Sequence, residues 1–182
     1  MSQRKSGYER VERDQYETPA WVTEALLSHL LPHTIRSEFT PISIWEPACG
    51  SGKMVDVLCR TGCRIITSDI AGGRNFLSET GFGSFGVVTN PPYSHAKEFI
   101  EHALAITRPH EGFVAMLLRT DYDHAKTRTH LFHGCPAFAK KLVLTKRIVW
   151  FERKGAAPSF NHAWYIWDWK HHGPPTLAYG PQ

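Results

Sequence analysis

The sequence predicts an α/β protein: a doubly wound, mostly parallel sheet with an antiparallel last strand. Two observations predict it. Short apolar runs rich in β-branched residues alternate with segments whose apolar residues recur at helical spacing, the pattern of parallel strands joined by crossover helices. Near the end two apolar runs, "KKLVLTKRIVWF" and "HAWYIWDW", follow each other with no helical segment between them, so they are expected to pair antiparallel.

In chain order, "TPAWVTEALLSHLL" predicts a helix with Thr18 as N-cap, Pro19 at the first helical position and Val22, Leu26 and Leu30 on one face. "ISIW" is a short buried strand, "KMVDVLCRTG" a helix ending at Gly62, and "CRIITSD" a second strand. A Gly-rich stretch over residues 71–86 leads to a third strand, "FGVVTN". In "SHAKEFIEHALAIT", Ala96, Phe99, Ile100, Ala103 and Leu104 share one helical face. "GFVAMLLR" is a further buried strand and "TDYDHAKTRTHLF" a polar helix, before the closing strand pair.

The 182 residues, 42% of them hydrophobic, suffice for one domain with a real core. That domain is expected over residues 16–170, between a flexible polar arm over residues 1–15 and a loose tail, "HHGPPTLAYGPQ", over residues 171–182. The four cysteines form no Cys-x-x-Cys pair and the N-terminus does not look like a signal peptide, which points to a reducing cytoplasm. No apolar run approaches the roughly 20 residues of a membrane helix. No histidine sits at a recognisable metal spacing, so no metal is expected. A net charge of +4 fits a nucleic-acid partner only if the positive residues cluster.

In a sheet of this kind ligands bind beyond the carboxyl ends of the strands. After the first strand the chain reads "WEPACGSGKM", where Gly50 and Gly52 permit a tight turn and a close approach to a ligand, with a helix N-terminus following. A triphosphate-binding loop would need glycine at Pro47 and serine or threonine at Met54, and the Gly-x-Gly-x-x-Gly dinucleotide pattern also fails, which leaves some other nucleoside. Asp69, after the second strand, is placed to accept bonds from ribose hydroxyls or, alternatively, is a solvated turn residue. Asn75 and Phe76 offer an amide and a ring to an adenine edge and face.

After the third strand comes "TNPPYSH". Asn90 precedes a proline and is held extended, and Pro91 and Pro92 have fixed φ and no N–H, so the turn is stiff. The Asn90 amide oxygen and the Pro91 carbonyl can then face one point as paired acceptors for an exocyclic amine, with Tyr93 as a stacking ring. From Lys140 to Lys154 the chain carries Lys140, Lys141, Lys146, Arg147, Arg153 and Lys154 around Trp150 and Phe151, against one acid, Glu152. Cations interleaved with aromatics suit a nucleic-acid backbone, while a solvated edge over a core of Ile148 and Trp150 is the alternative. Arg119 either points into the cleft or pairs with Asp121 or Asp123.

Three of these motifs, in this order, resemble those of the class I S-adenosylmethionine-dependent amino-methyltransferases, most of all the gamma-ordered DNA adenine-N6 methyltransferases. "DQYETPAWV" resembles their Y-x-T-P element, "EPACGSGKM" their cofactor loop and "TNPPY" their catalytic element, with coverage from about Tyr16 to about Trp169. The resemblance implies the Rossmann-like class I methyltransferase fold, with S-adenosylmethionine as cofactor. It implies a pocket lined by Tyr16, Thr18, Pro19, Glu46, Pro47, Ala48, Gly50, Gly52, Asp69, Ile70, Asn75, Phe76 and Asn90, where the family usually has aspartate in place of Asn75. Asn90, Pro91, Pro92 and Tyr93 would hold the target, and Trp21 is either pocket wall or core.

The implied reaction moves a methyl group in line onto an amine, with positive charge passing to a nitrogen held by two acceptors, and needs no strong general base. DNA is the expected partner ahead of RNA, gripped by Lys146, Arg147, Trp150, Phe151, Arg153 and Lys154. Sequence readout would fall to loops over residues 121–136 and 152–160, to a homodimer partner or to a separate recognition subunit. Methylation of an RNA base or a protein glutamine amide is the alternative, followed by a catalytically silent partner subunit.

Overall fold

The computed structural model describes residues 16–30, 42–80, 85–150 and 160–181. The expected arm over residues 1–15 therefore lies outside the described residues. At the centre β1 (Ser43–Glu46) runs parallel to β2 (Arg64–Thr67) on one side and to β3 (Gly86–Thr89) on the other, and β3 runs parallel to β4 (Phe113–Arg119). The antiparallel strand is β6 (His162–Asp168), inserted between β4 and β5 (Phe138–Leu144). With β7 (Thr176–Gly180) parallel to β5, the described sheet has the order β2-β1-β3-β4-β6-β5-β7.

Both faces of this sheet are covered, which explains why its inner strands are apolar runs rather than alternating ones. Successive side chains still point to opposite faces. Val114, Met116 and Leu118 of β4 join Tyr165 and Trp167 of β6 in one core, while Phe113, Ala115 and Leu117 join Trp164 and Ile166 in the other. α1 (Ala20–Leu27) and α2 (Lys53–Leu58) pack on the second core through Val22, Leu26, Met54 and Leu58. α3 (Ala96–Thr107) covers the first with the residues its spacing predicts, Ala96, Phe99, Ile100, Ala103 and Leu104, all buried. Each fully buried Leu or Val side chain contributes about 1.5–3 kcal/mol.

Three expectations need correction. Pro19 is still extended (ψ 146) and stands as the half-in residue before α1, so the helix begins at Ala20 and Thr18 does not cap it. The polar segment after β4 forms two 3-10 turns, Tyr122–His124 and Lys126–Leu131, instead of a helix. There Arg128 donates to the Tyr122 carbonyl at 2.7 Å and lies 4.0 Å over its ring, a local bond that competes with helical pairing. The closing segment is not a loose tail in its middle: Thr176–Gly180 adds a strand to the edge of β5. Its ladder is made of backbone groups while Leu177 and Tyr179 stay exposed, so side-chain periodicity carries little sign of it.

As a consequence of this topology, β1, β2, β3, β4 and β5 end at one edge of the sheet, and β6 begins there, with Arg119 opposite His162. Among the described residues no helix is long and apolar enough to cross a membrane.

Candidate functional site

Along that edge a cavity of about 990 Å³ opens between the loops that follow β1, β2 and β3 and the segment preceding α1. Its floor is the glycine loop. Gly50 (φ 49) and Gly52 (φ 93) both adopt left-handed backbone, and a Cβ placed on either would meet nothing within 4 Å, so glycine is required there by conformation rather than by crowding. The loop is stapled to the exit of β2: Cys49 N–H donates to the Ser68 carbonyl at 3.1 Å and Gly50 N–H to Asp69 Oδ2 at 2.9 Å. Asp69 Oδ1 meanwhile accepts from Ala71 N–H at 2.8 Å, so this carboxylate braces two loops and is not a free turn residue.

Glu46, the last residue of β1, is 1% exposed and faces this cavity. Its Oε1 accepts from the Thr89 hydroxyl at 2.6 Å and from Ala48 N–H at 3.1 Å, whereas Oε2 is buried with no partner among the described residues. Burial pushes the acid up to about 8, against the pull of the Thr89 and Ala48 bonds and with a further push from the Asp69 charge. The side chain therefore holds its proton at neutral pH. Burial likewise raises the Cys49 thiol beside it, aided by Glu46 and Asp69, which disfavours a thiolate.

The Asn90 corner forms the far wall. Asn90 Nδ2 donates to the Tyr16 carbonyl at 3.1 Å, which fixes the carboxamide and turns its oxygen away from that bond. No described residue donates to Asn90 Oδ1 or to the carbonyl of the buried Pro91. Tyr16 is held on its other side through its neighbour, because Glu17 pairs with Lys53 of α2 at 2.7 Å, a bond that holds the Glu17 carboxyl below the usual range. The segment over Tyr16, Glu17 and Thr18 is thus strapped across the cavity from the glycine loop to the asparagine.

Of the residues expected around a cofactor, Tyr16, Thr18, Glu46, Pro47, Ala48, Gly50, Asp69, Ile70, Asn75, Phe76 and Asn90 line this one cavity, as does Pro92. Pro19 and Gly52 do not line it; they set the starts of α1 and α2. Of the residues expected to hold a target, buried Pro91 and half-buried Tyr93 stand beside the cavity and are not part of its lining. The Asn75 amide is already committed to its own turn, Oδ1 accepting from Leu77 N–H and Nδ2 donating to the Ser78 hydroxyl at 3.2 Å. Phe76 is 2% exposed, its ring packed among Trp45, Phe99 and His102, so it offers the cavity an edge of the core rather than an open face. Sequence reasoning missed the loop residues Glu17, Cys49, Ser51, Ala71, Gly72, Arg74, Ser94 and His95 in the lining, and with them four residues of helices or core, Lys53, Met54, Leu77 and Phe99. Of these four, Lys53 was legible as the first residue of a helix behind a glycine loop; the other three are core positions without a local signal.

Beside the cavity stands an aromatic corner. Tyr93 and Trp150 both pack against Tyr16, with ring centroids 5.9 and 5.4 Å away, and Trp150 also meets His162 edge-on at 5.3 Å. Tyr93 OH lies 3.0 Å from His162 Nε2. Burial drives His162 down to about 4, so its ring is neutral at pH 7.

The basic run is divided by the fold. Lys140 donates to the His29 carbonyl and Lys141 to Asp123 and the Thr120 carbonyl, so both turn inward. Lys146 lies 5.1 Å over Trp21, which packs on the second core and does not line the cavity, and Arg147 is exposed. Phe151, Arg153 and Lys154 lie outside the described residues, as does most of the expected loop over residues 152–160. Arg119 pairs with Asp121 through two bonds, at 3.0 and 2.7 Å, instead of entering the cleft. Among the described residues no cluster of His, Cys, Asp or Glu could hold a metal ion.

No protein-family model and no curated protein sequence matches the chain. Solved structures do. A Listeria monocytogenes protein described as a class I S-adenosylmethionine-dependent methyltransferase superposes with a TM-score of 0.61 at 14% identity, over 95% of this chain and 68% of that one. The methyltransferase subunit of a type I restriction-modification system from Streptococcus thermophilus gives 0.61 at 13% identity, over 86% of this chain and 45% of its own. The M protein of the type I restriction enzyme EcoKI gives 0.54 at 12% identity, over 85% and 44%. The chain thus spans less than half the length of these two restriction-system proteins. Such identities speak for the fold alone: the chain has the class I methyltransferase fold, with its mixed sheet and its antiparallel strand near the end.

Proposed function

We propose that this protein transfers a methyl group from S-adenosylmethionine to an exocyclic amine, with adenine N6 in DNA as the target. One observation carries the reading: Asn90, its carboxamide fixed by the Tyr16 carbonyl, shares a single cavity with the glycine loop and the buried acid Glu46, whose Oε2 has no partner among the described residues. Three features of the cavity fit the donor. Glu46 Oε2 is a buried polar atom lacking a partner, and a cationic group placed beside it would favour loss of the proton that the acid otherwise holds; the open space over Gly50 admits a ligand against the backbone; and Asp69, beside exposed Ile70, lies where ribose hydroxyls and a base would follow.

The cofactor supplies a methyl group on a positively charged sulfur. The chain supplies the geometry at the acceptor. Asn90 Oδ1 and the Pro91 carbonyl accept the two hydrogens of the target amine, which draws its lone pair out of the ring and stabilises the charge that develops on nitrogen. The rigid Pro-Pro turn keeps both oxygens in place without reorganisation, and the adjoining Tyr93 ring carries the planar target. A base within a duplex must leave the stack to reach this corner. The restriction-system methyltransferases among the structural neighbours support DNA as the polymer, and exposed Arg147 and Lys146 over Trp21 would meet its backbone.

The test incubates the protein and its Asn90→Ala variant with S-adenosylmethionine and pools of DNA, RNA or protein, and identifies the product by mass spectrometry. N6-methyladenine in DNA, absent with the variant, is the expected outcome. Methylated RNA bases or methylglutamine would move the reading to those substrates. No product, together with no cofactor affinity, would leave a silent partner subunit.

A further inference from the structure

We propose that His162 is a positioning residue for the target amine: it holds the Tyr93 phenol, and so sets the plane on which the extruded base stacks. The inference rests on the reading of Asn90 to Tyr93 as the target corner and goes beyond it, because His162 lies 69 positions along the chain from Tyr93 and belongs to none of the motifs.

Tyr93 begins a 3-10 turn between Pro92 and Ser94, which line the cavity, and is only half-buried, so its ring would turn about two side-chain bonds if nothing held its far end. His162 Nε2 stands 3.0 Å from the hydroxyl. The histidine is itself immobile, 3% exposed, as the first residue of β6 paired with Arg119 at the end of β4. A ring N–H of His162 is also bonded to the backbone of Phe160. With Nε2 at the phenol, Nδ1 is the nitrogen left for that bond; the neutral ring then carries its proton on Nδ1 and presents a lone pair at Nε2, so that Tyr93 donates.

The same imidazole meets Trp150 edge-on, and Trp150 packs on Tyr16, whose carbonyl orients Asn90. Through one buried ring, β6 therefore fixes Tyr93 directly and borders the group that fixes Asn90. A histidine serving only to fill space would need no acceptor aimed at the Tyr93 hydroxyl.

Three single variants separate positioning from folding. Tyr93→Phe removes only the hydroxyl, and His162→Phe removes the acceptor, with His162→Gln restoring an oxygen acceptor. Each is assayed for S-adenosylmethionine affinity and for methylation of the DNA pool. Each is also assayed for fluorescence with an oligonucleotide carrying 2-aminopurine at the methylated position. Tyr93→Phe and His162→Phe are expected to lower kcat/KM for DNA by about three- to tenfold each. The double variant should lose little more than either, cofactor affinity should hold, and 2-aminopurine emission should rise as stacking loosens. His162→Gln should recover part of the loss. Wild-type kcat/KM and emission in Tyr93→Phe, or a loss in His162→Phe that falls equally on cofactor affinity, would overturn the inference. Absence of adenine methylation by the unaltered protein would overturn the reading beneath it and the inference with it.

Discussion

The side-chain amide of Asn90 donates to the backbone carbonyl of Tyr16 across 3.1 Å, joining positions 74 apart in the chain. This bond ties the N-terminal strap to the turn after β3. Asn90→Ala and Asn90→Asp both remove it, and each is expected to weaken S-adenosylmethionine binding about two- to tenfold in a calorimetric titration, the worth of one hydrogen bond. Methyl transfer should fall much further, by about a hundredfold or more, because the acceptor at the reacting nitrogen is lost or becomes charged.

Glu46 and His162 give the chain opposing pH dependences. Folded Glu46 keeps its proton to about pH 8 against 4.5 for an ordinary glutamate, so between those values folding takes up a proton and stability falls as pH rises. His162, at about 4 in the folded chain against 6.5 ordinarily, contributes stability that is present above pH 6.5 and lost as pH falls towards 4. The two slopes oppose each other from pH 4.5 to 6.5, and Glu46 acts without His162 from 6.5 to 8. Over that upper window Glu46→Gln should flatten the pH dependence of unfolding free energy in urea, removing at most about 1.4 kcal/mol per pH unit.

Gly52 caps α2 at φ 93 with open space where a side chain would stand. Gly52→Ala should therefore destabilise the chain by about 1–2 kcal/mol through backbone strain alone. Denaturant melts would check this, and Gly52→Asn should lose less, since asparagine tolerates left-handed backbone better.

β7 closes the far edge of the sheet. Its Gly180 carbonyl receives Thr145 N–H at 2.9 Å, and Gly180 itself is buried near Leu142 and His29. Removing residues 174–182 should lower the melting temperature and leave the β5 edge unpaired, giving a chain that associates at concentrations where the full one does not, as light scattering would show.

Much of this was legible in the sequence where local chemistry dictates structure. "FGVV" before two prolines fixes a strand and its end, Gly62 stops a helix at φ 77, and the spacing of Ala96, Phe99, Ile100, Ala103 and Leu104 selects one face of α3. The glycine loop and the Asn90 corner were legible for the same reason, and the fold brings both to one cavity. What escaped depends on distant partners. Nothing near His162 tells that Tyr93 meets it, nothing near Lys141 that Asp123 will claim its charge, and β7 exists because β5 has a free edge. Asn75 lines the cavity as expected, but that its amide bonds its own turn was not foreseen, because an exposed amide before a turn meets its own backbone first.

The most direct measurement is a crystal structure with S-adenosylhomocysteine bound. The account predicts the ligand in the cavity between Gly50 and Asn90, its sulfur facing the Asn90 carboxamide and a cationic group within bonding distance of Glu46 Oε2. A ligand seated elsewhere, or one in the cavity with its sulfur turned away from Asn90, would contradict it.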